Sequence, residues 1–252
     1  MQTTILATSK LCKTFSTGGA QQHVLKNLDM EIYKGDFTVI MGSSGAGKST
    51  LLYALAGMDK PSLGKVTFAG QDISGYSNDK LAVFRRDNCG FVFQQMYLLD
   101  NMSIFDNIMA AGLLVNKNRK SIAARAKELL KQFNIEEATW RKFPAQVSGG
   151  EAQRAAIARA LINSPAIVFA DEPTGALNSA NGMAVLDTLT AVNENGQSVV
   201  MVTHDIKSAM RGNRIIYLRD GGIHGNLTLE PYHKNDGERR EKVRTFLTEM
   251  GW

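Results

Sequence analysis

Phe37-Thr-Val-Ile-Met41 runs directly into Gly42-Ser-Ser-Gly-Ala-Gly-Lys48-Ser49, and the reading of this stretch decides the fold. Five apolar or β-branched residues in a row predict a strand buried on both faces, because a strand with one wet face alternates. Behind the glycines, 49–56 reads as a helix that ends near Gly57. Gly42 and Gly47 enclose four residues ahead of Lys48, which is the spacing of a phosphate-binding loop set between a strand and a helix. The chemistry needs that pattern. Glycines let successive backbone N–H groups wrap a polyphosphate, and the helix N-terminus adds the positive end of its dipole. In such a loop Lys48 reaches the β- and γ-phosphates and the Ser49 hydroxyl holds Mg2+.

Two further segments carry chemistry. Ile167-Val-Phe-Ala-Asp171-Glu172 is an apolar strand that delivers two carboxylates to the carboxyl edge of a sheet, beside the phosphate loop. There Asp171 can serve Mg2+, directly or through water, and Glu172 can polarise an attacking water as general base. Ser148-Gly-Gly-Glu151 opens the helical run that follows. Ser148 with Glu151 three residues on is a capping-box pattern, and two glycines at a helix start also leave N–H groups open to an anion. Spacing alone leaves those two readings level.

Around these motifs the chain alternates strand and helix signals. Short β-type runs at 5–7, 23–32 and 65–68 predict a partly antiparallel sheet. Helical periodicity covers 78–87, 121–133, 151–163 and 183–193, and in the second of these Ile122, Ala126, Leu129, Leu130 and Phe133 share one face. Buried-strand patterns recur at 166–170, 198–202 and 215–219. This rhythm predicts an α/β fold with a parallel sheet. The helical block from about 95 to 163 reads as an inserted subdomain, and the tail 233–252, charged and then amphipathic, predicts a docked terminal helix.

The 252 residues suffice for one or two domains with a sizeable core. With 44% hydrophobic and 21% charged residues, the composition excludes a disordered or collagen-like chain. The 29 Lys and Arg against 24 Asp and Glu give +5, an excess that suits nucleic acid, an anionic membrane or a phosphate-rich ligand and settles none of them. Cys12 and Cys89 are too few for a disulfide framework or a four-cysteine zinc site, and they favour a reducing compartment. No apolar run approaches the roughly 20 residues of a membrane helix, and the N-terminus lacks the pattern of a secretory signal. The expectation is a chain that does not itself cross a membrane.

The motifs and their order resemble those of an ABC-type ATPase: Walker A at 42–49, signature at 148–151 and Walker B at 167–172. Gln94 in Gly90-Phe-Val-Phe-Gln94 resembles the family's Q-loop, His204 in Val202-Thr-His-Asp205 its switch histidine, and Phe15 its adenine-stacking aromatic. The resemblance implies an α/β P-loop NTPase: a RecA-like core from 1–94 and 164–225, an antiparallel β subdomain, and a helical subdomain at 95–163. Residues 1–225 would form the ATPase domain and 226–252 a C-terminal extension with a helix. It further implies ATP held by Phe15, by Gly42, Ser43, Ser44, Gly45, Ala46, Gly47, Lys48, Ser49 and Thr50, by Gln94, and by Ser148, Gly149, Gly150 and Glu151. Mg2+ would be held by Ser49, Gln94 and Asp171, and catalysis carried by Glu172, His204 and Lys48.

Finer features, including Tyr97-Leu-Leu99, 102–108 and 169–177, resemble the branch of lipoprotein-releasing, macrolide-efflux and antimicrobial-peptide-resistance exporters, whose ATPase is often a separate chain. The implied assembly is a head-to-tail homodimer with ATP between Walker A of one chain and Ser148 to Glu151 of the other. It would drive an integral membrane permease from the inner face of the bacterial cell membrane. Tyr97, Leu98, Leu99, Ile104 and Phe105 would seat the permease or else simply fill the core. Two positions depart from the family's common pattern: Val147-Ser-Gly-Gly-Glu151 has Val first and Glu last, and Asn178 stands where the D-loop usually has Asp. A nucleic-acid ABC ATPase is the alternative, but 95–147 shows none of the sustained heptads such proteins carry, so no nucleic acid is expected.

Overall fold

The computed structural model describes residues 2–234 and 236–252. Gly18 and Gly19, with φ of 59° and 85°, close a long hairpin between β1 (Thr4–Thr17) and β2 (Ala20–Tyr33). A two-residue loop of this kind wants positive φ at both positions, which glycine reaches without a Cβ penalty. The sequence predicts only 5–7 and 23–32 as strand here. The 14 residues of β1 escape that reading because its register slips between Thr8 and Leu11 and again before Lys13, so the alternation of buried and exposed side chains breaks.

The fully buried β3 (Phe37–Met41) leads into α1 (Lys48–Leu55), and β4 (Leu63–Phe68) and β5 (Gln71–Asp72) complete an antiparallel sheet of order β2-β1-β4-β5. Ser77 caps α2 (Asn78–Asn88), which delivers the chain to β6 (Cys89–Phe93). Four helices then follow: α3 (Ile104–Leu113), α4 (Arg119–Gln132), α5 (Glu137–Trp140) and α6 (Gly149–Leu161). The chain re-enters the sheet at β7 (Ile167–Asp171), crosses over through α7 (Ser179–Glu194) to β8 (Ser198–Val202), and passes α8 (Ile206–Ala209) to β9 (Arg214–Arg219). An Asp220-Gly221 turn adds the edge strand β10 (Gly222–Thr228), and α9 (Gly237–Glu249) ends the chain.

The main sheet has the order β10-β9-β3-β8-β7-β6, parallel throughout except for β10. It is the α/β arrangement the sequence predicts, with the antiparallel sheet beside it and α3 to α6 inserted between β6 and β7. Helices α6 and α7 are among those that begin earlier than expected. Helix α6 starts at Gly149 rather than 151 and α7 at Ser179 rather than 183, each behind a side chain (Ser148, Asn178) that accepts an N–H of the first turn. Their first turns hold small residues without an apolar stripe, so periodicity sees only what comes after.

Both faces of the main sheet are packed. Phe37, Val39 and Met41 of β3 face a core shared with α3, α4, α6 and α7, while Ile40 faces a second core with α1, β1 and β2. The tail packs on the first core through Val243, Phe246 and Leu247, as the amphipathic pattern predicts. Helix α9 also brings a fully buried cation. Arg239 is 1% exposed, donates to the carbonyls of Met210, Gly212 and Glu230, and lies over the Tyr232 ring. A stranded buried acceptor costs about 1–3 kcal/mol, so Arg239→Met is expected to lower the unfolding free energy by about 3 kcal/mol. Urea melts check this, with the exposed neighbour Arg240→Met expected to stay within about 0.5 kcal/mol of the parent.

Candidate functional site

Parallel pairing brings the ends of four strands to one edge. Phe93 lies opposite Asp171, Asp171 opposite Val202, and Val202 opposite Ile40, so the residues following each strand open on the same side. After β3 comes the glycine loop. Gly42 has φ 152°, and a Cβ there would meet the Leu218 carbonyl oxygen at 2.1 Å, so β9 excludes every other residue from the position. Gly47 caps α1 with φ 97° and no side-chain bond, which leaves the first N–H groups of the helix open. Lys48 folds back on its own loop, donating to the carbonyls of Gly42 and Ser43 at 2.9 Å each. Burial lowers its pKa, while the carboxylates of Glu172 and Asp171 oppose that shift. A cation parked on backbone carbonyls beside open N–H groups fits a polyphosphate, which would offer it stronger acceptors.

Asp171 is buried at the end of β7 with both carboxylate oxygens engaged. Ser49 Oγ donates to Oδ1 at 2.9 Å and Tyr53 Oη to Oδ2 at 2.8 Å. Burial, and then the hydrogen bond to Asp171, push the Tyr53 phenol up to about 12, so it keeps its proton and stays a donor. A hydroxyl and a carboxylate in contact are hard oxygen donors of the kind Mg2+ takes. Gln94 is exposed and leans on Gly175, where an added Cβ would sit 3.0 Å from its amide carbon, and it makes no hydrogen bond to Ser49 or Asp171.

Glu172 adopts a left-handed backbone with φ 46°, and its N–H donates to the Val202 carbonyl. Its side chain is held by the two residues that follow β8. Thr203 Oγ1 donates to Oε2 at 3.3 Å, and His204 Nδ1 stands 2.8 Å from Oε1, so with an ionised Glu172 the Nδ1 carries the hydrogen. His204 is exposed and Glu172 half-buried, facing a cavity that Thr174, Leu177, Asn178 and Met183 also line.

The remaining residues lie apart from this cluster. Ser148 and Glu151 form a reciprocal capping box: Ser148 Oγ accepts the Glu151 N–H, and Glu151 accepts from both the N–H and the hydroxyl of Ser148. Those bonds, the hydroxyl's first, lower the Glu151 pKa. Among the described residues no hydrogen bond joins Ser148 to Glu151 with the 42–50 loop. Phe15 is exposed on β1 with the Lys13 ammonium over its ring, and Asn178 caps α7 by accepting the Asn181 N–H. Of the apolar residues suited to a docking groove, Tyr97 and Leu99 are exposed, Leu98 and Phe105 half-buried, and Ile104 belongs to the core at 1% exposure. Sequence reasoning missed Tyr53, Thr203 and Gln153. Tyr53 could be read from its place one helical turn after Ser49. Gln153, whose amide ties the carbonyls of Phe93 and Pro173, shows its role only once the strands are assembled.

A phosphate loop, a strand-end carboxylate pair and a parallel sheet together define a P-loop ATPase. The family model described as ABC transporter matches residues 25–175, and the chain belongs to the ABC transporter family as an ATP-binding subunit. It is 43% identical over 211 residues to an uncharacterised ABC transporter ATP-binding protein of Methanocaldococcus jannaschii, covering 84% of this chain and 94% of that one. It is 40% identical over 221 residues to the macrolide export ATP-binding/permease protein of Shigella flexneri, covering 88% of this chain but 34% of that longer protein. Among solved structures it matches a dimeric ATP-binding cassette in a post-hydrolysis state with ADP and Pi, at TM-score 0.81 and 38% identity over 90% of this chain and all of that one. A Clostridium perfringens cassette, part of the cbiONQ transporter complex, matches at TM-score 0.81 and 26% identity, covering 99% and 98%. The family match makes this chain an ABC ATPase, and the nucleic-acid alternative gains no support.

Gly42 gives a direct check of the loop. Because the Leu218 carbonyl is backbone and cannot swing aside, Gly42→Ala is expected to cost about 1–3 kcal/mol of stability and to abolish nucleotide binding. Thermal melts and calorimetric titration with ATP read the two effects separately.

Proposed function

We propose that this chain is the ATP-hydrolysing subunit of a membrane exporter, of the branch that handles lipoproteins, macrolides or antimicrobial peptides. The observation that carries the reading is Glu172, a carboxylate beside Asp171 whose oxygens are held by Thr203 and His204. A passive nucleotide binder has no use for an oriented general base. Lys48 and the N–H groups of the loop bind the β- and γ-phosphates, and Phe15 stacks on adenine. Ser49 and Asp171, together with Gln94, would hold Mg2+, which when bound would neutralise phosphate charge. Glu172 orients a water and takes its proton; His204 holds Glu172 in place.

In this reading the core spans 1–94 and 164–225, the helical subdomain 95–163 and an extension 226–252. Two copies pair head to tail, so that Ser148, Gly149, Gly150 and Glu151 of one chain close on the nucleotide of the other. Among the described residues no helix is long and apolar enough to cross a membrane, so attachment to the inner face of the cell membrane would go through the permease. The exposed Tyr97 and Leu99 and the groove of Met102, Phe105, Met109, Trp140 and Phe143 would seat it. The macrolide export relative supports the export branch, and the dimeric cassette supports the pairing.

Glu172→Gln keeps shape and hydrogen bonding but removes the basicity. Loss of a general base costs about 10² to 10⁴ in rate, so hydrolysis is expected to fall by that factor while ATP affinity stays within a few-fold. A variant that hydrolyses at the parent rate would show that another group activates the water. The shared site has its own check. Ser148→Arg and Lys48→Ala chains are each expected to be inactive, yet a mixture should recover a fraction of the parent rate, since one intact composite site forms in the mixed dimer. No recovery on mixing would remove the head-to-tail arrangement.

A further inference from the structure

We propose that Tyr53 is a positioning residue for the Asp171 carboxylate and that, through Asp171, it sets how tightly the nucleotide site holds Mg2+. The inference rests on the reading of Ser49 and Asp171 as the metal side of that site. Ser49 and Tyr53 stand four residues apart on α1, so their side chains emerge one turn apart on one face of the helix. The strand end of β7 lies against that face. Asp171 therefore meets two hydroxyls from one rigid element, Ser49 Oγ at Oδ1 and Tyr53 Oη at Oδ2.

A carboxylate held through one oxygen swings about its last torsion, which is broad and roughly two-fold. Held through both, its plane is fixed. Asp171 is buried and Tyr53 half-buried, so water competes poorly for the second bond. The Tyr53 backbone is itself anchored, because its carbonyl accepts the N–H groups of both Met58 and Asp59 in the turn that ends α1. The phenol thus reaches Asp171 from a fixed base. Tyr53 touches neither the glycine loop nor Lys48 by any hydrogen bond among the described residues, so phosphate binding without metal does not depend on it. Groups that orient a metal-binding side chain typically govern metal affinity by about 10- to 100-fold.

Tyr53→Phe removes the hydroxyl and keeps the ring. The test is a fluorescent ATP analogue titrated into the purified full chain, first with a chelator and then over a range of Mg2+. With the chelator, variant and parent are expected to bind the analogue equally. With Mg2+, the variant is expected to need about 10- to 100-fold more metal for the half-maximal gain in affinity. Equal Mg2+ requirements in the two chains would overturn the proposal and leave the metal site standing. An equal loss with and without Mg2+ would also overturn it, by showing that Tyr53 merely supports the loop and helix. A parent whose nucleotide affinity ignores Mg2+ would remove the metal reading and the proposal together.

Discussion

Parallel pairing with matched register is the constraint on which the rest of this structure hangs. Ile40, Val202, Asp171 and Phe93 sit side by side across four strands, and each strand hands the chain to a functional segment one or two residues later. Parallel strands all point one way, so their carboxyl ends collect on one edge even though 41, 93, 171 and 202 are far apart in sequence. A slip of one residue in β7 would turn Asp171 to the opposite face, away from Ser49 and Tyr53. The apolar side chains on both faces of β3, β7 and β8 hold that register, and the helices that cover them also aim the loop, the carboxylates and the histidine.

Much of this was legible in the sequence, and the physical reasons separate what was from what was not. The strands β3, β7 and β8 read plainly because burial on both faces leaves an unbroken apolar run. The glycine loop read plainly because its backbone geometry admits no other residue at Gly42. Strand β1 did not, since its bulges break the two-residue period, and β10 did not, since Gly222, His224, Gly225 and Asn226 form no pattern. The Asp220-Gly221 turn before β10 was a usable hairpin signal that the apolar count overlooked. At the site, Asp171, Glu172 and Ser49 followed from motif spacing, and Tyr53 was open to the same reading through its place one helical turn after Ser49, but Thr203 matters through a contact between neighbouring strand ends that no local spacing encodes. Ile104 lay in an apolar run suited equally to docking or core, and only packing decides for the core.

The two departures from the family's common pattern have local physical accounts. Glu151 would place a negative charge near phosphate, yet that charge is taken up by the Ser148 N–H and hydroxyl at the N-terminus of α6, where the helix dipole favours an anion. The hydroxyl has one hydrogen, and here Glu151 holds it. Asn178 needs only an acceptor to cap α7, a task its side-chain oxygen performs as an aspartate would.

Glu172 is the one non-glycine member of the strand-end cluster with a left-handed backbone, and a side chain with a Cβ sits there against the steric preference of L-residues by about 1–3 kcal/mol. Glycine would relieve that strain and delete the carboxylate. On the proposed role of Glu172 as general base, selection for a more robust fold and selection for turnover pull in opposite directions at this residue. A lineage that gave up hydrolysis while keeping nucleotide binding would have a thermodynamic incentive to lose Glu172 early.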